Sequence, residues 1–147
     1  TAGEWLEAPL FGNGKKHEEI CAQCPVTTRV LEQCPEAISL ALAGGGESLF
    51  SVLRPGTHLR AHCGSTNTRL TCHLGVLVPP GCSVRVGDEI RSWHEGKCIV
   101  FDDSWEHEVW HRGDADRVVL LINFWHPDLP QSERRIAIDT SHGYEPI

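Results

Sequence analysis

From Ser48 onward the chain predicts a mainly β domain, a sandwich or a barrel with minor helix. Short segments rich in Val, Leu, Ile and aromatic residues follow one another closely, as strands do. Turn residues separate them, at Pro55-Gly56, Pro79-Pro80-Gly81 and Gly87-Asp88. Two of the segments, RLTCHLG and RVVLLINFW, alternate their side chains between a mixed polar face and an apolar one.

The elements follow in order. Residues 1–25 carry Gly, Pro and short polar runs and read as loop with at most one short strand. TTRVLEQCPEAISLALA, residues 27–43, predicts one helical turn before Pro35 and another after it, and Gly44-Gly45-Gly46 ends it. SLFSVLRPG is a strand ending in a turn, and Thr57 to His62 is extended. RLTCHLGVLVPPG alternates and stops at its prolines, and CSVRVGDEIRSW reads as a hairpin about Gly87-Asp88. KCIVFDDS, EHEVWHR and RVVLLINFWHP are further strands. The last residues, SERRIAIDTSHGYEPI, read as strand or coil closing one edge.

At 147 residues the chain predicts a single domain. It divides into an N-terminal loop and helix extension (1–47), a β core (48–135) and a tail (136–147). The net charge of −7 and the lack of any Lys/Arg run exclude nucleic acid and anionic membranes as partners. No apolar stretch reaches spanning length, so no membrane partner is expected within this chain. TAGEWLEAPLFGNG has no basic region followed by an apolar run, and the chain contains no methionine; it reads as an excised catalytic piece or a processed product. The seven cysteines predict buried free thiols. A disulfide among Cys21, Cys24 and Cys34 is the alternative, and would suggest a secretory compartment.

Alternation assigns faces. Arg69, Thr71, His73 and Gly75 point one way, and Leu70, Cys72 and Leu74 the other. Arg117, Val119, Leu121, Asn123 and Trp125 share a face opposite Val118, Leu120, Ile122 and Phe124. An arginine opening a strand with apolar residues on both faces is partly buried and needs an anion, from the chain or from a bound carboxylate.

Of nine histidines, His17, His94, His111 and His142 lie in polar surroundings and read as surface residues. His126 precedes Pro127 and reads as a turn residue, and His58 as exposed or hydrogen-bonded. His62 and His107 each stand where a strand meets a turn, the place where a barrel mouth presents ligands. A lone strand histidine is usually a satisfied polar residue. Two together, with Arg117 ten residues after the second, suit a mononuclear iron facing a carboxylate held by the guanidinium. Asp102 or Asp103 would orient an imidazole, or cap a turn. Trp105 and Trp110 read as packing residues.

The runs GTHLRAHCGSTNTRL, FDDSWEHEVWH and FWHPDL resemble the aspartyl/asparaginyl β-hydroxylase family, over residues 51 to about 135. FGNGKKHEEICAQCP and LEQCPE extend the resemblance weakly upstream. It implies a double-stranded β-helix (jelly-roll, cupin-like) fold and an Fe(II)- and 2-oxoglutarate-dependent dioxygenase using O2. Such an enzyme hydroxylates the β-carbon of Asp or Asn in a peptide or protein, or a related amino-acid-like substrate, and releases succinate and CO2. His62 and His107 would be the metal ligands. Gly64 stands where most such oxygenases carry a third, carboxylate ligand. Arg117 and Ser51 would hold the far carboxylate of 2-oxoglutarate, His73 would contact the near one, and Arg69 would lie by the substrate.

Two departures stand out. Thr71 replaces an arginine of the family pattern that helps hold a carboxylate, and the residues before Ser51 are too few for the family's helical repeat domain. The resemblance points to the endoplasmic reticulum or secretory pathway, with the cytoplasm as the alternative. Three rival readings remain: a non-catalytic cupin-like binding domain, a 2-oxoglutarate-dependent halogenase, and a zinc module built from His17, Cys21, Cys24 and Cys34.

Overall fold

A computed structural model describes residues 2–134. The tail expected at 136–147, and His142 with it, lies outside the described residues. The chain runs β1 (Trp5–Gly12), β2 (Lys15–Lys16), α1 (Glu18–Gln23), α2 (Pro25–Glu32), α3 (Pro35–Leu42), β3 (Glu47–Leu53), β4 (His58–His62) and β5 (Arg69–Leu77). It continues through β6 (Cys82–Val86), β7 (Glu89–Arg91), β8 (Cys98–Phe101), β9 (His107–His111) and β10 (Arg117–Trp125).

Two antiparallel sheets face each other. The six-stranded sheet has the order β2-β1-β3-β10-β5-β8 and the four-stranded one β4-β9-β6-β7. Between them lie Leu53, Leu59, Val84, Trp93, Val109 and Val119. Leu53 and Val119 are fully buried, and each such side chain contributes roughly 1.5–3 kcal/mol. On the outer face of the six-stranded sheet, Phe50, Leu74, Leu120 and Ile122 pack under the helices against Leu31 and Ala41. The predicted alternation of β10 is therefore realised: Val119 faces the barrel and Leu120 the helices.

The hairpin of β6 and β7 turns at Gly87-Asp88, with Val86 paired to Glu89 and Gly87 at a positive φ of 55° that glycine adopts freely. Pro25 and Pro35 stand at the first positions of α2 and α3, where a missing N–H costs nothing.

The N-terminal segment differs from expectation. Residues 2–25 contain an eight-residue strand of the main sheet, the two-residue β2 and a short helix, where the sequence reads as loop with at most one short strand. Pro9 disguised β1. The strand tolerates it because the register shifts between Pro9 and Phe11, and β2 pairs only with Phe11 and Gly12.

The cysteines are all free thiols, so none of Cys21, Cys24 and Cys34 is bridged. Only Cys21 and Cys82 are buried, while Cys34, Cys63 and Cys98 are exposed.

His111 also departs from expectation. It is buried, with Nε2 on Ala115 O at 2.7 Å and Nδ1 facing Cys82 Sγ at 3.2 Å.

Candidate active site

His62 ends β4 and His107 begins β9, and the two are direct cross-strand partners. That register places both side chains on the same side of the sheet. Their ring centroids lie 4.2 Å apart at an interplanar angle of 56°. Two imidazoles bound cis to one ion, with metal–nitrogen distances near 2.1 Å, have centroids about 4.5 Å apart. The pair therefore fits a shared metal. Each ring is held by its own strand: Nδ1 of His62 meets Arg60 O at 2.7 Å, and Nδ1 of His107 meets Trp105 O at 2.9 Å. A carbonyl only accepts, so Nδ1 carries the proton and Nε2 keeps its lone pair in both rings. Burial and the neighbouring His62 push the His107 imidazole down, which favours the neutral, ligating form.

Backbone carbonyls orient both imidazoles, and of the two roles the sequence offers for Asp102 or Asp103 the turn cap is the one Asp102 fills. Asp102 caps the turn, accepting from Ser104 N at 2.9 Å and Ser104 Oγ at 2.6 Å. Asp103 is buried and pairs with Arg69 Nη2 at 2.9 Å, leaving its Oδ1 without a partner. It also fills the space beside Gly64. A Cβ there would lie 2.8 Å from Asp103 Cγ and 2.9 Å from its Oδ2. A carboxylate therefore stands beside the imidazoles, carried by another segment of the chain. Among the described residues no group of three or more His, Cys, Asp or Glu side chains is arranged to hold a metal, so the zinc module of His17, Cys21, Cys24 and Cys34 does not form there.

Arg117 opens β10 and is 2% exposed, without a carboxylate in salt-bridge range among the described residues. Its Nη2 donates to Ser51 Oγ at 3.0 Å, its Nε has no partner, and its guanidinium lies 4.8 Å from the Trp93 ring centroid. Burial pushes it down to about 10. Ser51 Oγ also accepts from Trp5 Nε1 at 3.0 Å, so both its acceptor sites are used and its own proton is left to donate. His73 is buried, with Nδ1 accepting from Trp93 Nε1 at 3.3 Å. Burial first, then Arg117 and His107, push His73 down to about 3. It is neutral, with the proton on Nε2.

A cavity of about 380 Å³ joins these groups, lined by His62, His107, His73, Arg117, Ser51 and Arg69 among others. All six residues singled out in the sequence therefore meet in one place. A larger groove, about 770 Å³, runs past Ile90, Val100 and Trp105 and contains none of them. The sequence reading missed Trp93, which touches both His73 and Arg117, and it missed Trp5, Glu7 and Glu47 on the cavity wall. Asn123 lines the cavity as its face predicted, and donates to Thr71 Oγ1 at 2.9 Å.

Two facing antiparallel sheets with this cavity between them define a cupin-like double-stranded β-helix. The Cupin_2 domain of an XRE family transcriptional regulator from Enterobacter cloacae has the same fold, with a TM-score of 0.53 at 8% identity over 83% of this chain and 97% of that one. The family model described as aspartyl/asparaginyl beta-hydroxylase matches residues 1–127, and the chain belongs to that family. It is 39% identical over 134 residues to the human aspartyl/asparaginyl beta-hydroxylase, covering 90% of this chain and 17% of that protein. It is 40% identical over 141 residues to the human aspartate beta-hydroxylase domain-containing protein 2, covering 94% and 37%. The chain thus spans well under half the length of these relatives. Among the described residues no helix is long and apolar enough to cross a membrane.

Proposed function

We propose that this chain is the catalytic domain of an Fe(II)- and 2-oxoglutarate-dependent hydroxylase acting on an amino-acid residue of a peptide or protein, with the β-carbon of Asp or Asn as the family's target. The observation that carries this reading is a buried guanidinium, with no carboxylate partner among the described residues, in the same cavity as two imidazoles whose Nε2 atoms are free to bind. Bound iron supplies the activation of O2 by which a keto acid is decarboxylated to succinate and CO2 while one oxygen atom enters a substrate C–H bond.

The chain's own residues supply position and charge. His62 and His107 offer the nitrogens, locked in tautomer and orientation by Arg60 O and Trp105 O. Arg117 and the Ser51 hydroxyl hold the far carboxylate of the keto acid, for which a planar guanidinium is suited. His73 offers an Nε2–H to the carboxylate nearer the metal and adds no charge of its own. Asp103 fills the space beside Gly64 with a carboxyl group paired to Arg69, which disfavours halide there and with it the halogenase alternative.

Anaerobic titration with Fe(II) and 2-oxoglutarate tests the reading. The native chain should develop the visible charge-transfer absorption of a chelated keto acid. His62→Ala and His107→Ala should lose both that band and iron affinity. With O2 and Asn- or Asp-containing peptides, succinate should form together with a product heavier by one oxygen atom. Native iron affinity in both single variants would refute the ligand assignment. Iron and keto-acid binding without succinate would leave the non-catalytic binding domain as the better account.

A further inference from the structure

The charges on the cavity wall bear on which substrate group enters. Three carboxylates line it, Glu7, Glu47 and Asp103, against two guanidiniums, Arg69 and Arg117. Both guanidiniums are committed. Arg69 donates to Asp103 Oδ2 at 2.9 Å and to Gly45 O at 3.0 Å. Arg117 stands with Ser51, where the proposed keto acid is held. At positions 71 and 123 the wall is neutral, since Asn123 and Thr71 bond to each other and Asn123 Oδ1 accepts from Glu47 N at 3.0 Å. Among the described residues lining the cavity no cation is left over for a substrate carboxylate.

Two of the three carboxylates, by contrast, are unused among the described residues. Neither Glu7 nor Glu47 takes part in a salt bridge among the described residues. Burial and the charge of Glu47 push the Glu7 carboxyl up, as expected for two acids sharing a region without a counter-ion. Asp103, 8% exposed, lines the same cavity with a buried oxygen that lacks a donor. Trp5 is 44% exposed and lines the cavity with Glu7, two positions away on the same face of β1. A ring beside carboxylates is a setting that attracts cations.

We propose that the substrate end of this cavity selects a positively charged segment, in which Lys- or Arg-like groups beside the reacting residue are held by Glu7, Glu47 and the Trp5 ring, and that it rejects a segment rich in carboxylates. This rests on the hydroxylase reading above and narrows its substrate class from peptides in general to basic ones.

Two terminally blocked tripeptides, Lys-Asn-Lys and Glu-Asn-Glu, are titrated calorimetrically into the whole chain loaded with Mn(II), with and without 2-oxoglutarate. The basic peptide should bind about tenfold more tightly at low salt, and the margin should shrink as salt is added. The isosteric double variant Glu7→Gln/Glu47→Gln should reduce the preference to about twofold or less. Its affinity for 2-oxoglutarate should stay native, because neither side chain bonds to Arg117 or Ser51. Equal binding, tighter binding of the acidic peptide, a preference that survives the double variant, or no binding of either peptide would each overturn the proposal. Failure of 2-oxoglutarate to bind is read in its own titration and counts against the hydroxylase reading alone, since the peptide ratio is also measured without the keto acid.

Discussion

Replacing Arg117 with methionine should have opposite effects on stability and on binding. Its guanidinium is 2% exposed and is pushed down to about 10 through burial. Tenfold in that equilibrium is about 1.4 kcal/mol, so the lowered value corresponds to about 3 kcal/mol. A base whose folded value lies below its unfolded one destabilises the fold at every pH below the folded value, where both states are charged. The cost is therefore fully present at neutral pH and disappears only above the unfolded value. Arg117→Met removes that cost. It gives up one hydrogen bond to Ser51, about 1 kcal/mol, and a contact with the Trp93 ring of similar size. The ligand-free variant should thus be more stable by about 1 kcal/mol, a rise of about 3 °C in Tm. Binding should move the other way, since removing one partner of a buried charge pair costs about 2–5 kcal/mol, or at least thirtyfold in Kd. Calorimetric titration of 2-oxoglutarate into Mn(II)-loaded protein reads the second quantity and thermal unfolding the first. At a hundredfold excess over the native Kd the native protein should gain about 2.7 kcal/mol from the ligand, and the variant no more than about 0.9 kcal/mol. A variant that keeps native affinity within about threefold would remove Arg117 from the keto-acid site.

Further outcomes follow from Gly64 and His73. Gly64→Ala should destabilise the chain by about 1–3 kcal/mol in urea unfolding, because the new Cβ meets Asp103 at Cγ, Oδ2 and O. Combining it with Asp103→Ala should give a coupling of about 1 kcal/mol in the relieving direction, and strict additivity would show that the two do not touch. His73 falls from 6.5 to about 3, so as the pH drops below 6.5 the unfolded chain takes up a proton that the native one refuses. Its contribution is present above 6.5 and is lost toward 3, about 1.4 kcal/mol per pH unit. Between pH 6.5 and about 4.5 the native chain should therefore lose about 2–3 kcal/mol more than His73→Gln, and parallel pH profiles for the two would refute the assignment.

The strands of the barrel and the faces of β5 and β10 were legible because one face of each strand is apolar and the other is not. Alternation grouped Arg117 with Asn123 and His73 with Arg69, and the family resemblance pointed Arg117 and His73 to the cavity that these faces line. What escaped has local causes. Trp5 and Glu7 lie on a strand whose Pro9 mimics a loop, and a bulge that accommodates proline leaves no mark in a single sequence. The orienting partners of His62 and His107 are main-chain carbonyls, which every residue carries, so residue type gives no signal for them. His111 sits among polar neighbours in sequence yet closes a loop from inside through Ala115 O. Trp93 follows a hairpin and gave no periodicity to read, although it bridges His73 and Arg117.

Each imidazole takes its tilt from the carbonyl two residues behind it, so the pair depends on little beyond how β4 lies against β9. Sliding one of these strands by a single residue would turn one ring outward and abolish the chelate. An ion that binds only the correct alignment should therefore act as a proofreader of strand pairing, stabilising the right partner arrangement by mass action and leaving slipped ones unrewarded.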